Sequence, residues 1–144
     1  MLGIIMSVIA GAAMSFQGVF NTRLSEKIGL YESNAFVQGT AFALALAAMF
    51  LLGKGDIARL GQADKVYWLG GVLGLIITVT VMMAIGNLSP TYAISIILIS
   101  QLLVAAAIDA FGLFGSERVP FTWTKYAGIA VMIAGVLLFK WRRG

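Results

Sequence analysis

Asp109 is the residue of this sequence with the clearest capacity for chemistry, because it lies within a long apolar stretch. It stands about six residues before Gly115, roughly 9 Å along a helix axis. An acidic side chain at the centre of a bilayer costs about 2.5 to 3.5 kcal/mol on insertion scales, so such residues usually face a protein interior, a water-filled cavity or a partner. Asp109 is therefore a candidate for proton coupling and for substrate binding. The alternatives are that Asp109 lies near enough to the helix end to reach the membrane interface, or that it forms a structural ion pair with Arg118 or Lys125.

Five amides in apolar stretches form a second candidate set. Gln17 and Asn21 are four residues apart, as are Asn34 and Gln38, so each pair shares one helix face. With Gln101 they are candidates to line a polar cavity and bind substrate through hydrogen bonds. The alternative is that they only tie helices together, which contributes about 0.6 kcal/mol per interaction in membrane proteins.

The sequence lacks the residues that several kinds of chemistry require. The sequence has no cysteine and no histidine, which removes the usual zinc ligands, thiol nucleophiles and histidine bases. It also lacks the Gly-x-x-x-x-Gly-Lys-Ser/Thr loop that binds nucleotide phosphates. We therefore expect no metal, no cofactor and no enzymatic activity. The net charge of +4 suits anionic lipid headgroups, and we expect no nucleic-acid partner.

The elements that position these residues are predicted to be membrane helices. The chain is 60% hydrophobic and 11% charged, with a mean hydropathy of +0.97, so lipid must act as its solvent. A bilayer core needs roughly 20 apolar residues per helix. This predicts an all-α, multi-pass protein of the cell (plasma or inner) membrane, with residues 1–144 as a single transmembrane domain and helices at about 2–22, 33–53, 67–88, 91–114 and 124–141.

Pro90 interrupts the longest apolar stretch. It cannot continue a helix without losing a backbone hydrogen bond, so we expect the third and fourth helices to be separate. The mixed segment 55–62 is expected to form a short helix on the membrane surface.

Small residues recur along three helices and predict close helix packing, because they let backbones approach one another. These packing candidates are Gly11, Ser15, Gly18, Gly70, Gly74, Gly128 and Gly135.

Basic residues are divided equally between the two faces that five spans define. The N-terminal side has Lys54, Arg59, Lys65, Arg118 and Lys125, and the other side has Arg23, Lys27, Lys140, Arg142 and Arg143. Orientation normally follows an excess of basic residues in cytoplasmic loops, and here neither orientation is favoured. The tie predicts that the chain inserts both ways and pairs as an antiparallel homodimer of ten helices, like the inverted repeats of larger transporters. The alternative is a chance tie in a chain of fixed orientation.

The order of motifs along the whole chain resembles the YdcZ branch of the drug/metabolite transporter (DMT) superfamily, distant relatives of the small multidrug resistance exporters. The matching residues are Gln17-Gly18-x-x-Asn21 with Leu24, Gly39-Thr40, Trp68-Leu69-Gly70-Gly71-x-x-Gly74, Gln101, Asp109-x-Phe111-Gly112-Leu113, Gly128 and Gly135-Val136.

The resemblance implies a small DMT-type protein that dimerises to build a transport pathway for a small molecule. The family often has His after the fourth-helix Asp and Gly before the Gln, where this chain has Ala110 and Ser100. It also lacks the first-helix acid of the multidrug exporters, with Gln17 at that depth, so their cation/proton exchange does not transfer directly.

The expected function is secondary transport by alternating access. The alternatives are a non-transporting scaffold or accessory subunit, and a flippase for lipid-linked substrates.

Overall fold

A computed structural model describes residues 1–141, which are largely helical and contain no β-strand in that range. Each main helix has the length and apolar composition of a membrane span, with the third span counted from Lys65, in agreement with the predicted number of five. Arg142 and Arg143, two of the ten basic residues in the topology argument, lie outside the described residues. The helices are α1 (Leu2–Ile28), α2 (Leu30–Leu52), α3 (Gly70–Asn87), α4 (Pro90–Phe111) and α5 (Trp123–Lys140).

The connection between α1 and α2 is much shorter than the sequence suggested. A loop over 23–32 was expected, whereas only Gly29 separates the two helices. Polar residues can extend a helix beyond the apolar core, and Arg23 forms an ion pair with Glu26 one turn later, with 3.0 Å between nitrogen and oxygen. Gly29 has φ +101°, a backbone conformation that side chains with a Cβ rarely adopt.

Two short 3-10 helices, Ile57–Gln62 and Lys65–Leu69, join α2 to α3. The first begins where Asp56 accepts a hydrogen bond from the Ala58 amide at 3.0 Å, so a short helix does form within the mixed segment. Leu88 and Ser89 separate α3 from α4, and Pro90 is the first residue of α4. A helix tolerates proline there because the first amides have no intrahelical acceptor.

The chain divides into two compact units, Met1–Asn87 and the segment from Leu88 onward. In the first unit, α1, α2 and α3 pack on one another. Met82 and Ile85 of α3 are buried there. Gly18 allows this packing, because a Cβ at its position would lie 2.9 Å from Ile85 Cδ1 and 3.2 Å from Val81 Cγ1.

In the second unit, α4 and α5 form an antiparallel helix pair. Their apolar side chains are largely exposed, as are those of the first unit; Phe50, for example, is 79% exposed. Such surfaces suit a protein surrounded by lipid, where helices have no need to hide apolar side chains. That both units form one transmembrane domain stays a prediction.

Candidate functional site

Asp109 lies closer to a helix end than the sequence indicated. α4 was expected to reach residue 114, but it ends at Phe111, so Asp109 belongs to its last turn. Gly112 ends the helix in the left-handed conformation, with φ 63° and ψ 40°, as glycine commonly does after a helix. The Asp109 carbonyl accepts hydrogen bonds from the Gly112 amide at 3.4 Å and from the Val119 amide at 2.9 Å. The helix end and the following loop therefore hold the Asp109 backbone in place.

Asp109 lines a cavity of about 460 Å³ between α4 and α5. This volume is within the range of small-molecule sites, which are mostly apolar with a few polar groups that orient the ligand. We call it the Asp109 cavity, and its lining residues are Leu102, Ala105, Ala106, Asp109, Phe121, Lys125, Gly128, Ile129 and Met132.

The Asp109 carboxylate makes no ion pair with any described residue, so the structural pairing considered from the sequence is not formed there. Arg118 instead donates from Nε to the Ala110 carbonyl at 3.1 Å. Lys125 donates from Nζ to the Pro120 carbonyl at 3.4 Å. Both cations lie near the end of α4, yet each bonds to a backbone carbonyl and leaves the acid unneutralised.

Lys125 is a cavity residue that the sequence analysis did not select, since it was considered only as a loop charge or as an ion-pair partner. It lies in the first turn of α5, across the helix pair from the last turn of α4. Its Nζ is 5.8 Å from the ring centroid of Phe121, and that ring packs edge-on against Tyr126 at 4.4 Å. The last turn of one helix lies at the height of the first turn of the next in any helical hairpin, so their similar depth was open to prediction, but not that both side chains line one cavity.

The first unit buries a polar cluster where α1 leads into α2. Its members are Asn21, Thr22, Ser33 and Asn34, each at most 7% exposed. Ser33 donates from Oγ to the Asn21 carbonyl at 3.3 Å. Asn34 Oδ1 is buried without a hydrogen-bond partner among the described residues, which costs about 1–3 kcal/mol.

The other amides have different environments. Gln17 is exposed although it shares a helix face with buried Asn21. Gln38 is half-buried and donates from Nε2 to Thr78 Oγ1 at 3.4 Å. Gln101 is exposed on α4 and is not among the residues that line the Asp109 cavity. The structure thus places Gln17, Asn21, Asn34 and Gln38 in the first unit and Gln101 with Asp109 in the second, and their roles in substrate binding stay predictions.

Most of the small packing candidates have free space around them. A Cβ at Gly74 would lie 3.7 Å from Gln38 Nε2, while Ser15 donates to the Gly11 carbonyl at 3.0 Å. Four positions would place a Cβ within 4 Å of no atom of the described residues, which leaves room for a ligand or another helix. They are Gly11, Gly70, Gly128 and Gly135.

Five apolar helices are the architecture of a small multi-pass membrane protein, whose second unit has an unpaired carboxylate at a largely apolar cavity. The chain belongs to the family described as "Putative inner membrane exporter, YdcZ", whose model matches residues 2–138. It is therefore a multi-pass inner-membrane protein of an exporter family, and the resemblance to the YdcZ family found in the sequence is confirmed. Comparison with curated proteins and with solved structures finds no match.

Proposed function

We propose that the protein is a secondary transporter that exports a small molecule by alternating access, and that Asp109 couples export to proton movement. The observation that carries this proposal is the position of Asp109, a half-buried carboxylate without an ion-pair partner among the described residues, at a cavity of about 460 Å³. Acidic residues inside membrane spans are costly and commonly serve proton or ion pathways.

The buried amides support a transport path over a purely structural scaffold. If these groups served only to hold helices together, each should be satisfied within the fold. Asn34 Oδ1 is buried and unpaired within the described chain, which suits a group that gains its partner in another conformation or from a substrate. We include Gln17, Asn21, Gln38 and Gln101 in the proposed path.

An antiparallel homodimer is the proposed working unit. The even division of basic residues gives no preference for one orientation. Gly135 lies on α5 outside the Asp109 cavity, with free space beside it, as expected of a helix position that can receive a second chain. Two oppositely oriented copies would provide the symmetry that inverted repeats provide in larger transporters.

Export can be tested before the substrate is identified. We expect cells that overproduce the protein to release a small, reproducible set of metabolites into the medium and to lose them from the cytoplasm, relative to cells with an empty vector. Mass spectrometry of both fractions measures the change. A non-transporting scaffold predicts identical profiles, and that result would contradict the proposed function.

Dual orientation is tested with a reporter at the C-terminus. A fusion to a protein that fluoresces only in the cytoplasm and a fusion to a phosphatase active only outside it should both give a signal, because the charge distribution favours neither orientation. Adding three lysines to the loop at Gly55 should suppress one signal and raise the other. Activity of only one reporter in the unmodified chain would rule out the antiparallel dimer.

A further inference from the structure

The Asp109 cavity contains two side chains of opposite charge that do not neutralise each other. Asp109 and Lys125 both line it, yet no Asp109–Lys125 ion pair within 4.0 Å is present in the described chain. Lys125 Nζ donates a long hydrogen bond of 3.4 Å to the Pro120 carbonyl and lies 5.8 Å from the Phe121 ring centroid, and neither contact neutralises its charge. A ligand with one charge would satisfy one of these groups and leave the other unmatched in an environment where unpaired charges are costly.

The remainder of the cavity is apolar and extends away from the charged end. Leu102 lies seven residues before Asp109 on α4, and Met132 lies seven residues after Lys125 on α5. Seven helical residues span about 10 Å. The antiparallel helices therefore give the cavity a charged end and an apolar end about 10 Å apart, with Ala105 and Gly128 between them.

A neighbouring cavity shows that these charges are a specific feature of the first. It has a volume of about 310 Å³ and shares Ala106, Phe121 and Ile129 with the Asp109 cavity. No charged side chain lines it; its other lining residues are Leu103, Ala107, Ala110, Phe111 and Tyr126. The two charges thus distinguish one cavity of the α4–α5 pair from the other.

We propose that the Asp109 cavity binds an amphipathic zwitterion, with its cationic group at Asp109, its anionic group at Lys125 and its apolar body between Ala105 and Gly128. This inference rests on the proposed function, because it identifies the substrate class of the transport site. The same chemistry occurs in free apolar amino acids and in the headgroups of zwitterionic lipids, and two sets of binding measurements separate these sources.

Three probes with the same aromatic body test the charge requirement: L-phenylalanine, 2-phenylethylamine and 3-phenylpropanoate. Calorimetric titration of the purified protein should show that L-phenylalanine binds at least about tenfold more tightly than either singly charged probe, a factor equal to about 1.4 kcal/mol. Asp109→Asn should abolish the preference over 3-phenylpropanoate. Lys125→Met, which keeps an apolar stem of similar length, should abolish the preference over 2-phenylethylamine. Ala107→Leu, which fills only the neighbouring cavity, should change neither preference.

A second set of measurements, of lipid binding, tests whether the zwitterion is a lipid headgroup. Native mass spectrometry compares retention of phosphatidylethanolamine, which is zwitterionic, with that of phosphatidylglycerol, which is anionic. Preferential retention of phosphatidylethanolamine that both variants abolish, without L-phenylalanine binding, would support the site with a lipid headgroup as ligand. Equal binding of L-phenylalanine and 2-phenylethylamine would overturn the proposal, and so would preferences that survive Lys125→Met. The absence of a zwitterion preference in both the calorimetric and the lipid-binding measurements would also overturn it.

The binding measurements also separate this inference from the proposed function. Zwitterion preference in a protein that exports nothing from cells would retain the site and refute transport. Export without any zwitterion preference would retain transport and refute the site.

Discussion

Replacing Asp109 by asparagine is expected to lower export by at least about tenfold while leaving the protein folded and dimeric. Asparagine has nearly the same shape as aspartate but cannot take up or release a proton, so the substitution removes the proposed coupling group and preserves packing. The measurement is the rate at which the metabolites identified by overproduction appear in the medium, corrected for the amount of protein in the membrane. A tenfold lower rate corresponds to about 1.4 kcal/mol more activation free energy for the transport cycle.

Two further variants make this result specific. Glu117→Gln removes an exposed acid from the loop after α4 and should leave export unchanged. Asp109→Glu keeps an ionisable carboxyl and should retain part of the activity. Dimer content is followed by size-exclusion chromatography in detergent. Wild-type export by Asp109→Asn would contradict the coupling role, and loss of export together with loss of the dimer would indicate a structural role instead.

Replacing Gly128 by leucine is expected to reduce export and ligand binding by at least about tenfold without destabilising the protein. The new side chain adds four carbon atoms to a residue that lines the Asp109 cavity, at a position where a Cβ meets no described atom within 4 Å. Leucine also favours the helix over glycine by up to about 1 kcal/mol in soluble model systems. Thermal unfolding in detergent should therefore occur at the same or a higher temperature, while the cavity is filled.

Two substitutions on the same helix separate cavity filling from helix packing. Ala130→Leu changes an exposed residue that lines neither cavity, and it should have no effect on export. Gly135→Leu tests the packing prediction, because Gly135 is on the same helix face but does not line the Asp109 cavity. If Gly128→Leu and Gly135→Leu both dissociate the dimer, the two glycines pack against the second chain. Loss of export in Gly128→Leu alone, with the dimer intact, supports a ligand-binding cavity.

The sequence predicted the number of helices better than it predicted the residues at which they end. Hydropathy reports which residues suit lipid, and the missing amide hydrogen of Pro90 correctly separated the third and fourth helices. It could not show that α1 continues to Ile28, because a helix stabilised by polar side chains can extend into water. The end of α4 was nearer to prediction, since Gly112 is a recognisable residue for ending a helix. A helix that ends before Gly112 has Asp109 in its last turn.

Within the candidate site, the sequence indicated which residues are unusual for a membrane helix, but it did not indicate which residues contact one another. The sequence identified Asp109 as an isolated acid because its apolar surroundings are visible along the chain. Shared helix faces suggested that Gln17 and Asn21 have similar environments, but one is exposed and the other buried. Residues one turn apart share a face but lie at different heights along the helix, so they differ in burial when neighbouring helices cover only part of the length of α1, whose buried residues are Gly18, Asn21 and Thr22.

The sequence by itself determined that this protein resides in a membrane, how many helices it has and which family it belongs to, because apolar content, helix length and motif order are all properties of a linear chain. Only the tertiary structure decided that Lys125 shares a cavity with Asp109 and leaves it unpaired, and that Asn34 is buried without a partner among the described residues. Those facts depend on how one helix lies against another. Lipid solvates every apolar face almost equally, so hydropathy does not reveal which faces meet.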